Sequence, residues 1–461
     1  MKKTFHFFLF FLLITYISYA QTPYFKKGDR VVFVGNSITN NGAFHHNIFQ
    51  YYVTRFPEQP ITFFNCGISG DVTAGILKRM DSDVLIHEPT HAVIMIGMND
   101  VNRRLYGIAP TSDVDTLKKR ELALEVYKIN LDSIIRIFLS KGIKVIIQKP
   151  TIYDQTAVSI TPNNLGVNDA LKQCAEFGEL LSKKYKLPSV DYWTILNDIN
   201  NKLQLKEPSA TIIGPDRVHP AAPGHLIMAY QFLKALQSPQ YVSKIEISKN
   251  ALKTQSAKIN CVIDNIRKSR KSLSFSVKEN ALPFPINENQ KQAVDLVPFE
   301  EEFNLQELKV SGLKKGNYQL KIDTSIISTF SAKQLKSGIN LTNFSNTPQY
   351  RQAVAINKIL VNLWQAEANL RTIKWVEISH LNELGNNENL STVKDYLDKR
   401  FVDRFQNLSN ASYYKGQFEK YLLIKSREKE FQEQMKQLSL EAYELAKPVV
   451  HHFTLSYILK K

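Results

Sequence analysis

The chain has 461 residues, 43% hydrophobic and 22% charged, an ordinary globular balance that excludes disordered, collagen-like and purely coiled-coil readings. Three cysteines, Cys66, Cys174 and Cys261, permit at most one internal disulfide and exclude both a disulfide framework and a Cys-rich zinc site. The formal charge of +16 favours acidic surfaces or polyanionic substrates, but no RNP-like, zinc-finger or basic-helix pattern accompanies it, so no nucleic-acid partner is expected.

Residues 1–20 read as a signal peptide. Lys2 and Lys3 precede an apolar run from Phe5 to Ile17, and Ser18-Tyr19-Ala20 supplies small residues at the −3 and −1 positions before Gln21. The run is short for a membrane span, with a retained N-terminal anchor as the competing reading. No later stretch reaches ~18 uninterrupted apolar residues. The expectation is a secreted or periplasmic protein with no membrane span after cleavage.

From Arg30 to about Gln237, short apolar runs alternate with amphipathic stretches. The runs are Val31–Val34, Ile61–Phe64, Ala92–Ile96, Ile143–Ile147 and Ser189–Tyr192. Helical spacing falls near 44–55, 72–87, 118–140, 165–185, 193–204 and 222–236. Continuous apolar strands separated by helices predict a parallel sheet covered on both faces. The fold class expected for 21–238 is therefore α/β, a three-layer flavodoxin-like sandwich on a five-stranded sheet, with chemistry at the carboxyl ends of its strands.

After Ser238 the texture changes. Ile245–Ile247, Leu273–Val277 and Tyr318–Ile322 alternate apolar with polar residues, as half-buried antiparallel strands do, and predict a small β-sandwich over 239–345. Two long helical stretches follow within 346–448, one through Ala353, Ile356, Leu360, Leu363, Leu370 and Ile373, the other through Phe431, Met435, Leu438, Ala442 and Leu445. The final segment, 449–461, alternates again. A lone terminal strand is not stable, so it is expected to return to the β domain and make the helical pair an insertion.

Four segments carry possible chemistry. In Val34-Gly35-Asn36-Ser37 a hydroxyl follows the first strand where a helix begins, close to backbone N–H groups that favour an oxyanion. Ser is also a preferred helix cap. In Asn65-Cys66-Gly67-Ile68-Ser69-Gly70-Asp71 a Gly lets the backbone approach a substrate and offer its N–H, or merely turns the chain. In Gly97-Met98-Asn99-Asp100 the Asn99 amide is a donor for developing negative charge, or the closing residue of an Asx turn. In Gly214-Pro215-Asp216-Arg217-Val218-His219-Pro220 the acid can fix the imidazole tautomer while the second ring nitrogen takes a proton from a Ser.

In the order Ser, Gly, Asn, Asp-x-x-His along a parallel α/β unit, these segments resemble the sequence blocks of the SGNH (GDSL-type) hydrolases, esterases and acylhydrolases with this three-layer fold. The resemblance covers about 29–237. It implies Ser37 as nucleophile, His219 as general base, Asp216 as its orienting acid, and an oxyanion hole of the Ser37 and Gly70 backbone N–H groups with the Asn99 side chain. Gly67 is the less favoured hole residue, and Asp71 and Asp100 are expected to brace their loops. One departure is that Asn36 stands where the family has Asp, which removes a negative charge beside the nucleophile.

His45 and His46 could line a pocket, although helix packing or solvent exposure is the plainer reading because adjacent helix positions face different ways. Cys66 reads as an apolar filler. Trp364, Trp375, Tyr413 and Tyr414 could stack sugars, although core packing is the commoner use of large aromatics. No cofactor is expected, and no metal, because no His/Asp/Glu group shows ligand spacing. The resulting expectation is an exported serine esterase acting on acyl groups, acetyl first, of a carbohydrate or other small ester. A lipid acylhydrolase or thioesterase, and a non-catalytic glycan-binding protein on the same fold, are the alternatives; acyl length, the alcohol and the oligomeric state stay open.

Overall fold

A computed structural model describes residues 22–249, 258–384 and 389–459. The signal peptide expected over 1–20 lies outside the described residues. Five parallel strands, β1 (Arg30–Gly35), β2 (Thr62–Gly67), β3 (His91–Met95), β4 (Lys144–Lys149) and β5 (Ser189–Asp191), form a sheet in the order β2-β1-β3-β4-β5. β1 lies inside the sheet, between β2 and β3, buried on both faces, and its alternation sorts its side chains into two cores. Val31 and Phe33 join one, Val32 and Val34 the other. α1 (Ser37–Asn41), α2 (Ala43–Arg55), α6 (Tyr192–Gln204) and α7 (Ala222–Ala235) cover the first face; α3 (Thr73–Lys78), α4 (Val114–Ser140) and α5 (Val167–Tyr185) cover the second. The three-layer α/β arrangement follows from strands that are apolar on both sides.

Two further sheets pack face to face around Ile245, Ile247, Phe275, Val277, Leu308, Leu320 and Phe453. One joins β6 (Tyr241–Ser248), β7 (Lys258–Ile259), β10 (Leu305–Ser311) and β13 (Ile339–Asn340) in the order β13-β10-β6-β7. The other holds β8 (Cys261–Lys268), β9 (Ser272–Glu279), β11 (Asn317–Ile322), β12 (Ser325–Ser331) and β14 (Val450–Ile458) in the order β12-β11-β14-β9-β8. The last strand is antiparallel to both neighbours, with Leu455 opposite Leu320 and Leu273. Contrary to the antiparallel pattern expected from alternation, β6 and β10 run parallel. Alternation reports a half-buried face and carries no direction.

Between β9 and β10 the chain leaves the sandwich. Residues 280–303, including α8 (Gln292–Leu296) and α9 (Phe299–Phe303), put Leu282, Phe284, Phe299 and Phe303 into the same core as Phe33, Phe44 and Phe232. Arg55 donates to the Phe303 carbonyl at 2.6 Å and Gln50 to that of Pro285 at 3.1 Å. A short α10 (Ala332–Ser337) precedes the helical part, which comprises α11 (Pro348–His380), α12 (Leu390–Arg404), α13 (Ala411–Ile424) and α14 (Glu428–Leu445). The expected long pair is α11 and α14; α12 and α13 lie between them in sequence. α12 escapes a periodicity reading because only Val393 and Leu397 of it are buried. Among the described residues no helix is long and apolar enough to cross a membrane.

α11 also docks onto the parallel sheet's edge. Glu367, 5% exposed, accepts from His46 of α2 at 2.7 Å and from Asn65 of β2 at 3.1 Å. Burial pushes its carboxyl up, but the His46 ring, with His45 and Asn65, outweighs that and holds it at about 2. A carboxylate depressed from an unfolded value of about 4.3 stabilises the fold fully above that pH and loses the contribution as pH falls toward 2. Glu367→Gln should therefore melt well below the natural protein at pH 6, with the gap narrowing between pH 5 and pH 3. Thermal denaturation across that range checks this, and a gap independent of pH refutes it.

Candidate active site

Ser37 opens α1, immediately beyond β1. The capping task that competes for a Ser at this place falls to Asn36, whose side chain accepts the Ile38 N–H at 3.1 Å. The Ser37 hydroxyl is thereby left for His219, whose Nε2 lies 2.7 Å from Oγ. Asn36 is 2% exposed, and an amide there meets the cap without burying a charge.

His219 and Asp216 lie in a loop closed by a bridge between Ile213 and Pro220. The His219 Nδ1 bonds Asp216 Oδ2, while Asp216 Oδ1 accepts the backbone N–H groups of Val218 and His219, both at 3.0 Å. Burial pushes the Asp216 carboxyl up, but the bonds from the His219 side chain and the two N–H groups prevail and hold it well below the usual carboxylate range. Asp216 therefore stays ionised at neutral pH and fixes the ring that faces Ser37. Arg217, between them, has φ 64 and is 5% exposed. Its guanidinium donates to the carbonyls of Asp154, Ala157 and Thr161 at 2.9–3.0 Å, which anchors the loop from beneath.

The loops after β2 and β3 complete the cleft. Asn99 Nδ2 donates to the Asp71 carbonyl at 3.0 Å. That bond uses one amide hydrogen to aim the side chain and leaves the second for a ligand. Gly70 is exposed with φ 84, and a Cβ there would meet nothing within 4 Å. Gly67 is buried against α1, where a Cβ would lie 2.1 Å from the Asn40 backbone nitrogen. Asp100 accepts from the backbone and hydroxyl of Thr73 at 2.8 and 2.7 Å, and burial pushes its carboxyl up to about 6. Asp71 binds Arg79 at 2.8 Å.

Behind these loops lies a buried charge cluster completed from a distant part of the chain. Arg79 also contacts Asp83 at 2.6 Å and the Gly35 carbonyl at 3.3 Å. Arg371 of α11 binds both Asp83 oxygens at 3.0 and 3.1 Å, and donates to the Gly67 carbonyl at 2.9 and 3.2 Å. Burial opposes ionisation of Asp83, yet Arg371 and Arg79 bring its carboxyl below the usual range. Arg217 and Arg79 stand in plain sight as charged residues near the motifs; Arg371 lies 304 residues from Gly67 and is invisible to spacing.

Of the side residues, Cys66 is buried with its thiol on the Asp83 carbonyl at 3.3 Å, and burial pushes it up to about 12. The three cysteines are buried and unpaired. His45 stacks on Phe33 at 4.7 Å, and burial lowers its ring to about 3. His45 and His46 line a cavity of about 800 Å³ between β2, α11 and α14, whose lining includes neither Ser37 nor His219. With Glu367 they bring three donor atoms within 4.8 Å, a grouping that spacing could not show. Glu367 Oε2 already takes hydrogen bonds from His46 and Asn65.

The two glycines should respond differently to a methyl group. Gly70→Ala meets no neighbour and should cost only the left-handed backbone strain, about 1–2 kcal/mol. Gly67→Ala drives a Cβ into backbone and should cost more, with a clearly larger fall in melting temperature. Equal falls in the two variants would contradict the difference in packing.

The profile of the GDSL-like lipase/acylhydrolase family matches residues 33–227. An acetylxylan esterase of Geobacillus stearothermophilus is 28% identical over 229 residues, which cover 46% of this chain and 94% of the esterase. A solved structure of that esterase aligns at TM-score 0.37 and 23% identity, over 46% of this chain and 95% of its own. The structure of a gut microbial diltiazem-metabolizing enzyme aligns at TM-score 0.84 and 31% identity, over 95% of this chain and 99% of its own. A three-layer parallel sheet, these four loop segments and a full-length likeness converge, and the chain belongs to the GDSL-like lipase/acylhydrolase family as an SGNH-type hydrolase of acyl esters.

Proposed function

We propose that the protein is an exported serine esterase that removes small acyl groups, acetyl first, from a carbohydrate alcohol. The observation that carries the reading is the 2.7 Å contact between Ser37 Oγ and His219 Nε2, backed by the Asp216 carboxylate. In this reading Ser37 attacks the ester carbonyl as His219 takes its proton, and Asp216 stabilises the resulting imidazolium. The Ser37 and Gly70 backbone N–H groups and the free Asn99 amide hydrogen hold the tetrahedral oxyanion. His219 then protonates the leaving alcohol and activates the water that releases the acid.

Exposure supports a large alcohol component. The His219 and Asp216 side chains are 44% and 50% exposed, so the triad side of the cleft is open to a bulky leaving group. The esterase relative is named for acetylxylan, which favours an acetylated glycan. The full-length relative is named for diltiazem metabolism, and that favours a second reading, a small drug-like ester processed at the same triad. Cleavage after Ala20 rests on the N-terminal pattern, and N-terminal sequencing of the protein from its native cells should find Gln21 first; an intact Met1 refutes cleavage and leaves the retained anchor.

Hydrolysis of nitrophenyl esters from acetyl to decanoyl tests the chemistry. Turnover should be highest for acetate, decline with chain length and vanish in Ser37→Ala. Asn99→Ala should lower kcat by about 10²–10³, the effect of losing one oxyanion donor. Residual activity unchanged in Ser37→Ala sinks the reading, and a preference for decanoate moves it to lipid esters.

A further inference from the structure

The loop that carries Gly70 is a tight turn. The Asp71 N–H donates to the Ile68 carbonyl at 3.1 Å. Gly70, at the third position, has φ 84, while Ser69 at the second does not have a positive φ. These are the marks of a type II turn. Types I and II differ by a half-rotation of the central peptide, here the one joining Ser69 to Gly70. A trans peptide carries its C=O and N–H on opposite sides, so the direction of the Ser69 carbonyl fixes that of the Gly70 N–H.

The Ser69 carbonyl is held. It accepts the indole Nε1–H of Trp375 on α11 at 3.1 Å. Trp375 is 7% exposed, fixed edge-on to His380 and Tyr413 at ring separations of 4.6 and 5.9 Å. One helical turn earlier, on the same face of α11, Arg371 grips the Gly67 carbonyl. The Gly67 and Ser69 carbonyls are thus both tied to the helical insertion, and across these trans peptides the Ile68 and Gly70 N–H groups point the opposite way, that of Ile68 to the Gly35 carbonyl at 3.0 Å. A hydrogen bond to a carbonyl also polarises the amide it belongs to and strengthens that amide's N–H as a donor.

We propose that Trp375 is a positioning residue of the esterase. Its indole N–H selects the orientation of the Ser69–Gly70 peptide in which the Gly70 N–H serves the oxyanion, so the helical insertion completes the hole. The proposal rests on the assignment of Ser37, Gly70 and Asn99 made above.

The test uses the full chain, nitrophenyl acetate and a methyl trifluoromethyl ketone, whose Ser adduct carries an oxyanion. Trp375→Phe keeps a ring and removes the N–H. It should lower kcat about five- to tenfold, as loss of one such hydrogen bond does, with KM within twofold and ketone affinity lowered by the same factor as kcat. Lys374→Gln, which breaks ion pairs with Glu377 and Glu428 one residue away, should leave all three values unchanged. If Trp375→Phe does not fold, benzothienylalanine at position 375, which replaces the N–H by sulfur at nearly constant shape, carries the same expectation. Unaltered kcat and ketone affinity in the N–H-deficient protein, alongside dead Ser37→Ala and crippled Asn99→Ala, overturn the proposal and leave the site assignment standing. A loss confined to KM, or matched by Lys374→Gln, overturns it as well. Full activity in Ser37→Ala overturns the site assignment itself and this proposal with it.

Discussion

Asp83 is 2% exposed and sits between two guanidiniums, Arg79 and Arg371. A buried carboxylate costs several kcal/mol unless its charge is balanced and its oxygens are satisfied, and here two arginines do both. Asp71 supplies the second negative charge by binding the other side of Arg79, so the cluster holds two of each sign. Its remaining donors are spent on backbone. Arg79 reaches the Gly35 carbonyl at the end of β1, and Arg371 the Gly67 carbonyl at the end of β2. The two strand ends that carry Ser37 and Gly70 are therefore fixed to each other through one neutralised knot. Removing any one member leaves the buried cluster with an uncompensated charge, and removing Asp83 strips Arg371 of its carboxylate partner altogether, a costly kind of loss.

This rigid floor contrasts with an open rim. Arg217, Arg79 and Arg371 are each nearly inaccessible, whereas His219 and Asp216 are half exposed. Guanidiniums beneath the loops bind backbone carbonyls and fix the loops, and the Ser–His pair is held at the exposed level above them. On the proposed assignment such an arrangement orders the donors before substrate arrives, the condition under which an oxyanion site costs no reorganisation during reaction.

How much of this was legible in the sequence depended on range. Strands β1 to β5 were readable because Val31–Val34 or Ile143–Ile147 are apolar without interruption, and only a doubly covered strand wants that. Ser37, Asn99, Asp216 and His219 stand out because each follows a strand or lies in a Pro-bounded loop, whereas Gly70 is preferred to Gly67 only through the family resemblance; the fold brings Ser37, His219 and Asp216 into one hydrogen-bonded chain. The parallel course of β6 and β10, the thin apolar stripe of α12, and the excursion of residues 280–303 onto α2 were not readable, since each is decided by partners distant in sequence. Arg371 and Trp375 belong to the same class. A helical stripe through Leu363, Leu370 and Ile373 announces burial, but nothing in it says that the neighbouring Arg and Trp turn toward a loop some 300 residues earlier.

That long reach bears on why the second half of the chain is present. The acetylxylan esterase aligns over nearly its whole length to less than half of this chain, so an ester hydrolase of this family does not need a helical insertion to exist. In this chain the insertion is nonetheless not an appendage. One continuous core runs from Phe25 and Phe33 through Phe232 and Phe303 to Ile356, Leu360 and Tyr443, and the Tyr443 hydroxyl oxygen closes the far end by accepting the Ile61 N–H, just before β2, at 3.2 Å. β2 is an edge strand of the sheet, and an uncovered edge invites unwanted pairing. α11 covers its outer side through Glu367 and Arg371, and the cost of ordering a long helix there is offset by two buried ion clusters and a shared apolar core. The edge strand that most needed covering is also the strand that ends in the Gly67–Gly70 loop, so protecting the fold and orienting the site are served by the same contacts.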